Sequence, residues 1–250
     1  MGSICIVTGA AGTIGKALIQ SFSSAGYLTL GIDLCDKPDN LHVTSWHVMD
    51  LVKYSNDKKY AQDANVLLKQ SIGKHNLSVL IHNAAVQRLG SMQNISRSDW
   101  DETFAVNLTA PFFLSQSLLP LLEIAQGSII HIGSIHARLT KPGFTAYSTS
   151  KAAIAGLTRA MCNDLGPRVR VNAIEPAAIH SKMLSEGFIN NPDGLRTLAS
   201  FHPQGRIGTA NEVAALALAL VQFDLKFLNG ACIPMDGGIG SSLHDPENRH

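Results

Sequence analysis

Ile4-Cys5-Ile6-Val7-Thr8-Gly9-Ala10-Ala11-Gly12-Thr13-Ile14-Gly15 is the stretch whose reading decides the fold. Its first residues form an apolar run of strand length. Glycines then stand at every third position, and Ala17, Leu18 and Phe22 recur with helical spacing as far as Gly26. Strand, glycine turn and helix together suit a pyrophosphate: glycines let the backbone turn tightly and come close, while the helix's unpaired N–H groups and dipole favour negative charge. On this reading Gly9, Gly12, Thr13, Ile14 and Gly15 bind a dinucleotide. The competing reading is a tight turn with no ligand.

The next strand, Tyr27 to Asp33, argues for the ligand because it ends in a carboxylate. Asp33 can accept hydrogen bonds from both adenosine ribose hydroxyls and would repel a 2′-phosphate, which favours NAD over NADP. Read as structure alone, Asp33 caps the turn before Asp36 and Pro38. Lys37 is the only basic residue in that loop and keeps NADP open.

Strand and helix patterns go on alternating. A strand over Val43 to Met49 ends at Asp50 and Leu51, where a polar group can meet the adenine. A polar helix is expected from Asn56 to Ile72, then a strand from Leu77 running into the small-residue turn Asn83-Ala84-Ala85 beside the cofactor ribose. Ser98 is expected to cap a helix that is apolar on most sides. Within it Pro111 cannot donate to carbonyl 107, which frees that carbonyl at Asn107 to hold a water or merely kinks the helix. Residues 168 to 177 form a sixth strand. Residues 177 to 208 are too long for an ordinary connection and look like a lid. Thr209 to Glu212 is a capping box, and Ala231 to Asp236 a last strand before a polar tail from Ser242 to His250.

The chemistry gathers between Ser134 and Lys151. Ser134 closes the buried run Ser128 to Ser134, at the carboxyl edge of a sheet where α/β proteins bind ligands. Tyr147 and Lys151 stand at i and i+4, so on a helix both leave one face and the ammonium can lower the phenol's pKa. Tyr54 and Lys58 repeat that spacing in a polar run with no strand before it, and read as surface decoration.

At 250 residues, 45% hydrophobic and 16% charged, the chain can bury one large α/β core, and a single domain over 1–250 is expected. A formal charge of +1 leaves no basic stripe for nucleic acid. No apolar run approaches the ~20 residues of a bilayer span, and the strand begins too early for a signal peptide. Cys5, Cys35, Cys162 and Cys232 have no paired spacing and read as reduced core thiols of a cytoplasmic protein. The ten histidines show no ligand spacing on a helix, and His42 and His47 would face opposite ways on one strand, so no metal site is expected.

These positions together resemble the short-chain dehydrogenase/reductase family over nearly the whole chain: Thr8-Gly9 with Gly15, Asp33, Asp50, Asn83-Ala84-Ala85, Asn107, Ser134, Tyr147, Lys151, and Asn229-Gly230 through Asp236-Gly237-Gly238. The resemblance implies a doubly wound Rossmann fold, three α/β/α layers around seven parallel strands in the order 3-2-1-4-5-6-7. It implies Asn107, Ser134, Tyr147 and Lys151 as a catalytic tetrad. Pro176 and Ile179 would join the cofactor site, and the helices of Asn107 and Tyr147 would build a homotetramer or homodimer. The implied reaction is hydride transfer between NAD and a small secondary alcohol or ketone: Tyr147 exchanges the hydroxyl proton, Ser134 binds the substrate oxygen, Lys151 holds the ribose, and Asn107 retains a relay water.

Three departures stand out. The glycine spacing resembles the longer sugar-nucleotide epimerases, against which the chain length argues. Ala85 replaces a glycine. Glu175-Pro176-Ala177 stands where Asn-Pro-Gly is usual, adding a charge beside the expected nicotinamide pocket. Gln87 and His136 match positions that hold the carboxylate in 3-hydroxybutyrate dehydrogenases of the family, although Phe144 replaces an assisting lysine there. Both side chains could equally bond loop backbone, and sugars, polyols and other alcohols stay open. Arg88, Arg138 and His180 are further candidates for the pocket rim. The alternatives are an NADPH-dependent 3-oxoacyl reductase and a dinucleotide-sensing protein with little turnover.

Overall fold

The computed structural model describes residues 1–189, 191–223 and 225–243. Strands and helices alternate from the start: β1 (Ser3–Thr8), α1 (Thr13–Ser24), β2 (Leu28–Asp33), β3 (Ser45–Val48), α2 (Leu51–Asn56), α3 (Lys58–Ile72) and β4 (Asn76–His82). There follow α4 (Arg97–Phe104), a π turn (Ala105–Thr109), α5 (Ala110–Ile124), β5 (Ser128–Ile132), α6 (Thr145–Leu165) and β6 (Arg170–Pro176). The chain then forms α7 (Lys182–Gly187), α8 (Pro192–Ser200), α9 (Ala210–Gln222) and β7 (Cys232–Met235). All seven strands pair in parallel in the order β3-β2-β1-β4-β5-β6-β7, as the family resemblance implied.

Strand alternation divides the core between the two faces of this sheet. Ile4, Ile6, Leu30 and Leu80 pack with Leu114, Leu118 and Leu122 of α5, whereas Cys5, Val7 and Ile81 meet Leu18 and Phe22 of α1 and Val213 of α9. Phe22, Leu18 and Leu114 are fully buried, each contributing about 1.5–3 kcal/mol relative to exposure. Because β2 and β3 lie on one side of β1 and β4 on the other, the chain reverses direction at β1, opening a crevice at the strands' carboxyl ends.

The glycine turn lies in that crevice. Gly9 has φ +64°, and a Cβ there would lie 2.7 Å from the Ala84 backbone, so neither conformation nor space admits a side chain. Gly15, in the first turn of α1, packs against the Gly9 carbonyl with no room for a Cβ.

Several local expectations are corrected. The third strand begins at Ser45, leaving His42 outside it. The helix expected from about Asn56 to Ile72 forms as α3 and starts at Lys58, because the Asp57 side chain accepts from the N–H groups of Lys59 and Tyr60; the short α2 before it was not expected. Tyr54 is not surface decoration: it is 2% exposed, with its hydroxyl 2.8 Å from Asn65 Oδ1. One turn of α2 faces it inward while Lys53 and Asn56 face out, and the Asp57 cap separates it from Lys58. Ser96, not Ser98, caps α4 by accepting from the Asp99 N–H. At Pro111 the helix answers the missing donor with the π turn, where Ser55 Oγ donates to carbonyl 105 at 2.8 Å.

Residues 177 to 208 contain two helices, α7 and α8, which Ser181 and Asn191 cap. The capping box at Thr209 forms as expected. The helical stretch Arg97–Ile124 is long and apolar enough to cross a membrane by those two measures, and it serves as core, with Leu114, Leu118 and Leu122 under the sheet. Cys35 is exposed rather than a core thiol. Of the expected polar tail, residues 244–250 lie outside the described residues.

Candidate active site

A cleft of about 930 Å³ runs along the carboxyl edge of the sheet. Gly9, Gly12, Thr13, Ile14 and Asp33 line one end of it, beside Asp50 and Leu51. Asn83, Ala84, Ala85 and Gln87 line the middle, and Ser134, His136, Tyr147 and Lys151 the far wall, with Pro176 and Ile179 opposite. Two sequence candidates lie behind the surface: Gly15 is packed under the turn, and Asn107 is 2% exposed in the π turn.

The dinucleotide end suits its expected ligand. Gly12 caps α1 without a side-chain acceptor, so the helix presents backbone donors where a phosphate would lie. Asn83 braces the turn, donating through Nδ2 to the carbonyls of Thr8 (3.0 Å) and Gly9 (2.9 Å). The Asp33 carboxylate receives the N–H groups of Ala11 and Leu34, both at 2.8 Å. Asp33 thus braces the glycine turn at Ala11 and the turn that follows β2, where the Cys35 N–H and thiol also approach its Oδ1 at 3.5 Å, and Oδ2, with one donor, keeps a lone pair for a further hydrogen bond. Asp50 lines the cleft and its Oδ1 also caps α2, accepting from the N–H groups of Val52 and Lys53.

At the far wall, β5 ends at Ile132 and Ser134 turns the chain into a single 3-10 turn (Ile135–Ala137), its Oγ accepting from the His136 N–H at 3.1 Å. Tyr147 and Lys151 project from one face of α6. Lys151 is 3% exposed; its Nζ donates to the Ile132 carbonyl at 2.8 Å and lies 5.6 Å from the Tyr147 ring centre. Burial lowers the Lys151 pKa to about 8. The lowered pKa expected for Tyr147 is corrected: burial raises it, and the hydrogen bond with Ser134 opposes that only in part. In the protein alone, Tyr147 is a neutral phenol.

Asn107 uses its side chain on the protein, accepting from the Val86 N–H (2.9 Å) and donating to the Val86 carbonyl and Ser150 Oγ (both 3.0 Å). It thereby joins the β4 loop to α6. Glu175 is also corrected. It is 1% exposed, takes no part in the cleft, and accepts from Arg138 Nε at 3.1 Å, so its charge is screened from the Pro176 wall. Arg88, Arg138 and His180 do not line the cleft; Arg88 is held by Glu102 at 2.7 Å.

The sequence reading missed Lys141, Leu184, Leu198, His202 and Ile239, which line the substrate side. Lys141 Nζ lies 4.7 Å over the Phe144 ring, which stacks on His136 at 4.5 Å. Burial and Lys141 lower the His136 pKa to about 4, so its ring is neutral near pH 7. The turn Lys141-Pro142-Gly143 before Tyr147 was the available signal for Lys141. Leu184 and Leu198 come from α7 and α8, within the segment read as a lid, where the sequence reading placed no helix. Among the described residues no three His, Cys, Asp or Glu side chains gather as a metal site would require.

A family model described as enoyl-(acyl carrier protein) reductase matches residues 9–240. The 3-oxoacyl-(acyl-carrier-protein) reductase of Thermotoga maritima is 30% identical over 246 residues, covering 95% of this chain and 98% of the relative. The ligand-free aldohexose dehydrogenase of Thermoplasma acidophilum superposes with a TM-score of 0.89 at 26% identity, covering 98% of this chain and 97% of that one. A candidate NAD(P)-dependent gluconate 5-dehydrogenase of Beutenbergia cavernae, with NADP bound at low occupancy, gives 0.86 at 25% identity, covering 96% and 98%. Fold, cleft and likeness agree: the chain belongs to the short-chain dehydrogenase/reductase family, oxidoreductases that use a nicotinamide dinucleotide on alcohol and ketone substrates.

Proposed function

We propose that the protein is an NAD-dependent oxidoreductase for a small secondary alcohol or its ketone, with Ser134, Tyr147 and Lys151 at the reacting end and Asp33 at the adenosine end. The carrying observation is that one cleft contains both ends, a buried Lys151–Tyr147 pair at one and a braced carboxylate at the other. When bound, the nicotinamide supplies the hydride acceptor or donor. Tyr147, as a neutral phenol, delivers its proton to the substrate oxygen during ketone reduction. In the oxidising direction the phenol first gives up its own proton to solvent, and as the phenolate, the form the nearby ammonium favours, it takes the proton of the substrate hydroxyl. Ser134 steadies the same oxygen, Lys151 reaches the ribose, and Asn107 orders the loop at Val86 beside the π turn.

Lys141 favours a substrate bearing an acid group, because its ammonium restores over the Phe144 ring a positive charge that position 144 lacks. Gln87 and His136 line the same side and can hydrogen-bond such a substrate. Exposed Phe112 and Phe113 on α5, 39% and 44% accessible, support self-association through that helix as a homotetramer or homodimer. Light scattering of the purified protein checks this.

The second reading, an NADPH-dependent ketoreductase, is favoured by the likeness to the 3-oxoacyl reductase. Fluorescence titration with NADH and NADPH separates the two. The first reading expects NADH to bind at least ~10-fold more tightly, the cost of a 2′-phosphate beside the Asp33 carboxylate at ~1.4 kcal/mol or more. The functional test is nicotinamide absorbance with 3-hydroxy acids, aldonic acids, tetritols and simple secondary alcohols. A protein that binds NADH and turns over none of these classes, in either direction, is a sensor and not this enzyme.

A further inference from the structure

Glu175 stands out because it is the last residue before Pro176 in the cleft wall and yet buries a carboxylate away from the cleft. Its side chain is 2% exposed and packs beside Gly133, where an added Cβ would lie 3.1 Å from its Cγ. On β7, the Cys232 thiol has its pKa raised by burial and, secondarily, by the nearby Glu175 charge. The charged partner of Glu175 is Arg138, 47% exposed, with Nε 3.1 Å from Oε2. A carboxylate this deep needs that partner, whereas the guanidinium keeps access to water.

The pair connects two parts of the site. Arg138 follows directly on the single turn that begins at Ser134 and contains His136. Between β5 and β6 the strand pairing ends at Ile132 and Ile174, with one further bond from the Gly133 N–H to the Ile174 carbonyl at 2.7 Å. Beyond it, the ion pair carries the connection from the Ser134 turn to the end of β6.

We propose that Glu175 is a positioning residue: through Arg138 it ties the turn bearing Ser134 and His136 to the strand end bearing Pro176, and so sets the spacing between the two walls of the reacting site. This rests on the assignment above of Ser134 to the substrate oxygen and Pro176 to the nicotinamide side. Sub-ångström placement of reacting groups governs rate far more than affinity, so untying the turn lowers kcat while cofactor binding holds.

Glu175→Gln and Arg138→Met both cut the tie but differ in what they leave behind. Arg138→Met orphans a buried carboxylate and lowers the melting temperature more; Glu175→Gln leaves a hydrated arginine and keeps the protein folded. Hydrogen exchange on the full-length, cofactor-free protein reads the tie without any substrate. The N–H groups of His136, Ala137, Arg138 and Leu139, all bonded within the turn, should exchange about tenfold faster in Glu175→Gln, with β1 and β4 unchanged. Unaltered exchange over these residues overturns the tie.

With the best alcohol from the screen and saturating nucleotide, kcat should fall about tenfold in Glu175→Gln and in Arg138→Met, with NADH affinity within about threefold, whereas Arg138→Lys, which keeps a cation for the Glu175 carboxylate, should retain most of the wild-type kcat. Wild-type kcat in Glu175→Gln despite a lowered melting temperature means a structural role only and overturns the positioning. If wild type turns over nothing in the screen, the functional reading has failed, and the exchange result still decides the tie.

Discussion

Replacing Lys151 with methionine should stabilise the protein near neutral pH while removing its activity. Lys151 is 3% exposed, and burial holds its pKa at about 8 instead of 10.5. That depression, at ~1.4 kcal/mol per unit, costs the folded state about 3 kcal/mol. The cost is present in full below the folded-state value. It is released as pH rises from about 8 towards 10.5, because over that range the unfolded chain binds more protons than the folded one.

Methionine fills similar space without charge, but it leaves the Ile132 carbonyl without its 2.8 Å donor, a loss of about 1–2 kcal/mol. The net at pH 7 is a gain of about 1–2 kcal/mol, or roughly 2–8 °C in melting temperature for a chain of this size. Thermal and urea denaturation of both proteins at pH 7 and pH 9.5 measure it, and the gain should shrink clearly at the higher pH. A variant less stable at pH 7, or a gain independent of pH, would refute the view that the fold carries this ammonium at a cost met for function.

Other perturbations separate structural groups from reacting ones. Tyr54→Phe should lose about 1 kcal/mol in urea melts, from the bond to Asn65, and leave turnover unchanged, in contrast to Tyr147→Phe. Ser96→Ala should cost about 1 kcal/mol and Ser98→Ala under ~0.5, since only Ser96 accepts from the first turn of α4. Gly9→Ala should weaken NADH binding by more than tenfold in fluorescence titration and lower the melting temperature, because its φ of +64° and the Ala84 backbone at 2.7 Å oppose any Cβ.

What could be read in advance followed from local rules. Strand, glycine turn and helix declare themselves by periodicity and by the backbone freedom of Gly9, and the Tyr147–Lys151 spacing defines one helix face wherever that helix lies. What could not be read depended on which neighbour a side chain finds. Tyr54 lies in a polar run, and only the docking of α2 against α3 and α5 decides that it turns inward. Asp57 and Ser96 were each one of several adjacent cap formers, and backbone geometry chose between them. Glu175 looked like a charge in the nicotinamide pocket because its partner, Arg138, is distant in sequence and adjacent only once β5 and β6 pair. Residues 177 to 208 contain capped helices whose short length and scattered Pro and Gly hide their periodicity.

The most direct measurement compares wild type with Tyr147→Phe on whichever alcohol is oxidised fastest, following nicotinamide reduction and, separately, NADH binding by fluorescence. The account predicts that removing one hydroxyl lowers kcat/KM by about 10²–10⁴ while NADH affinity changes less than about threefold. Turnover that survives in Tyr147→Phe would contradict it.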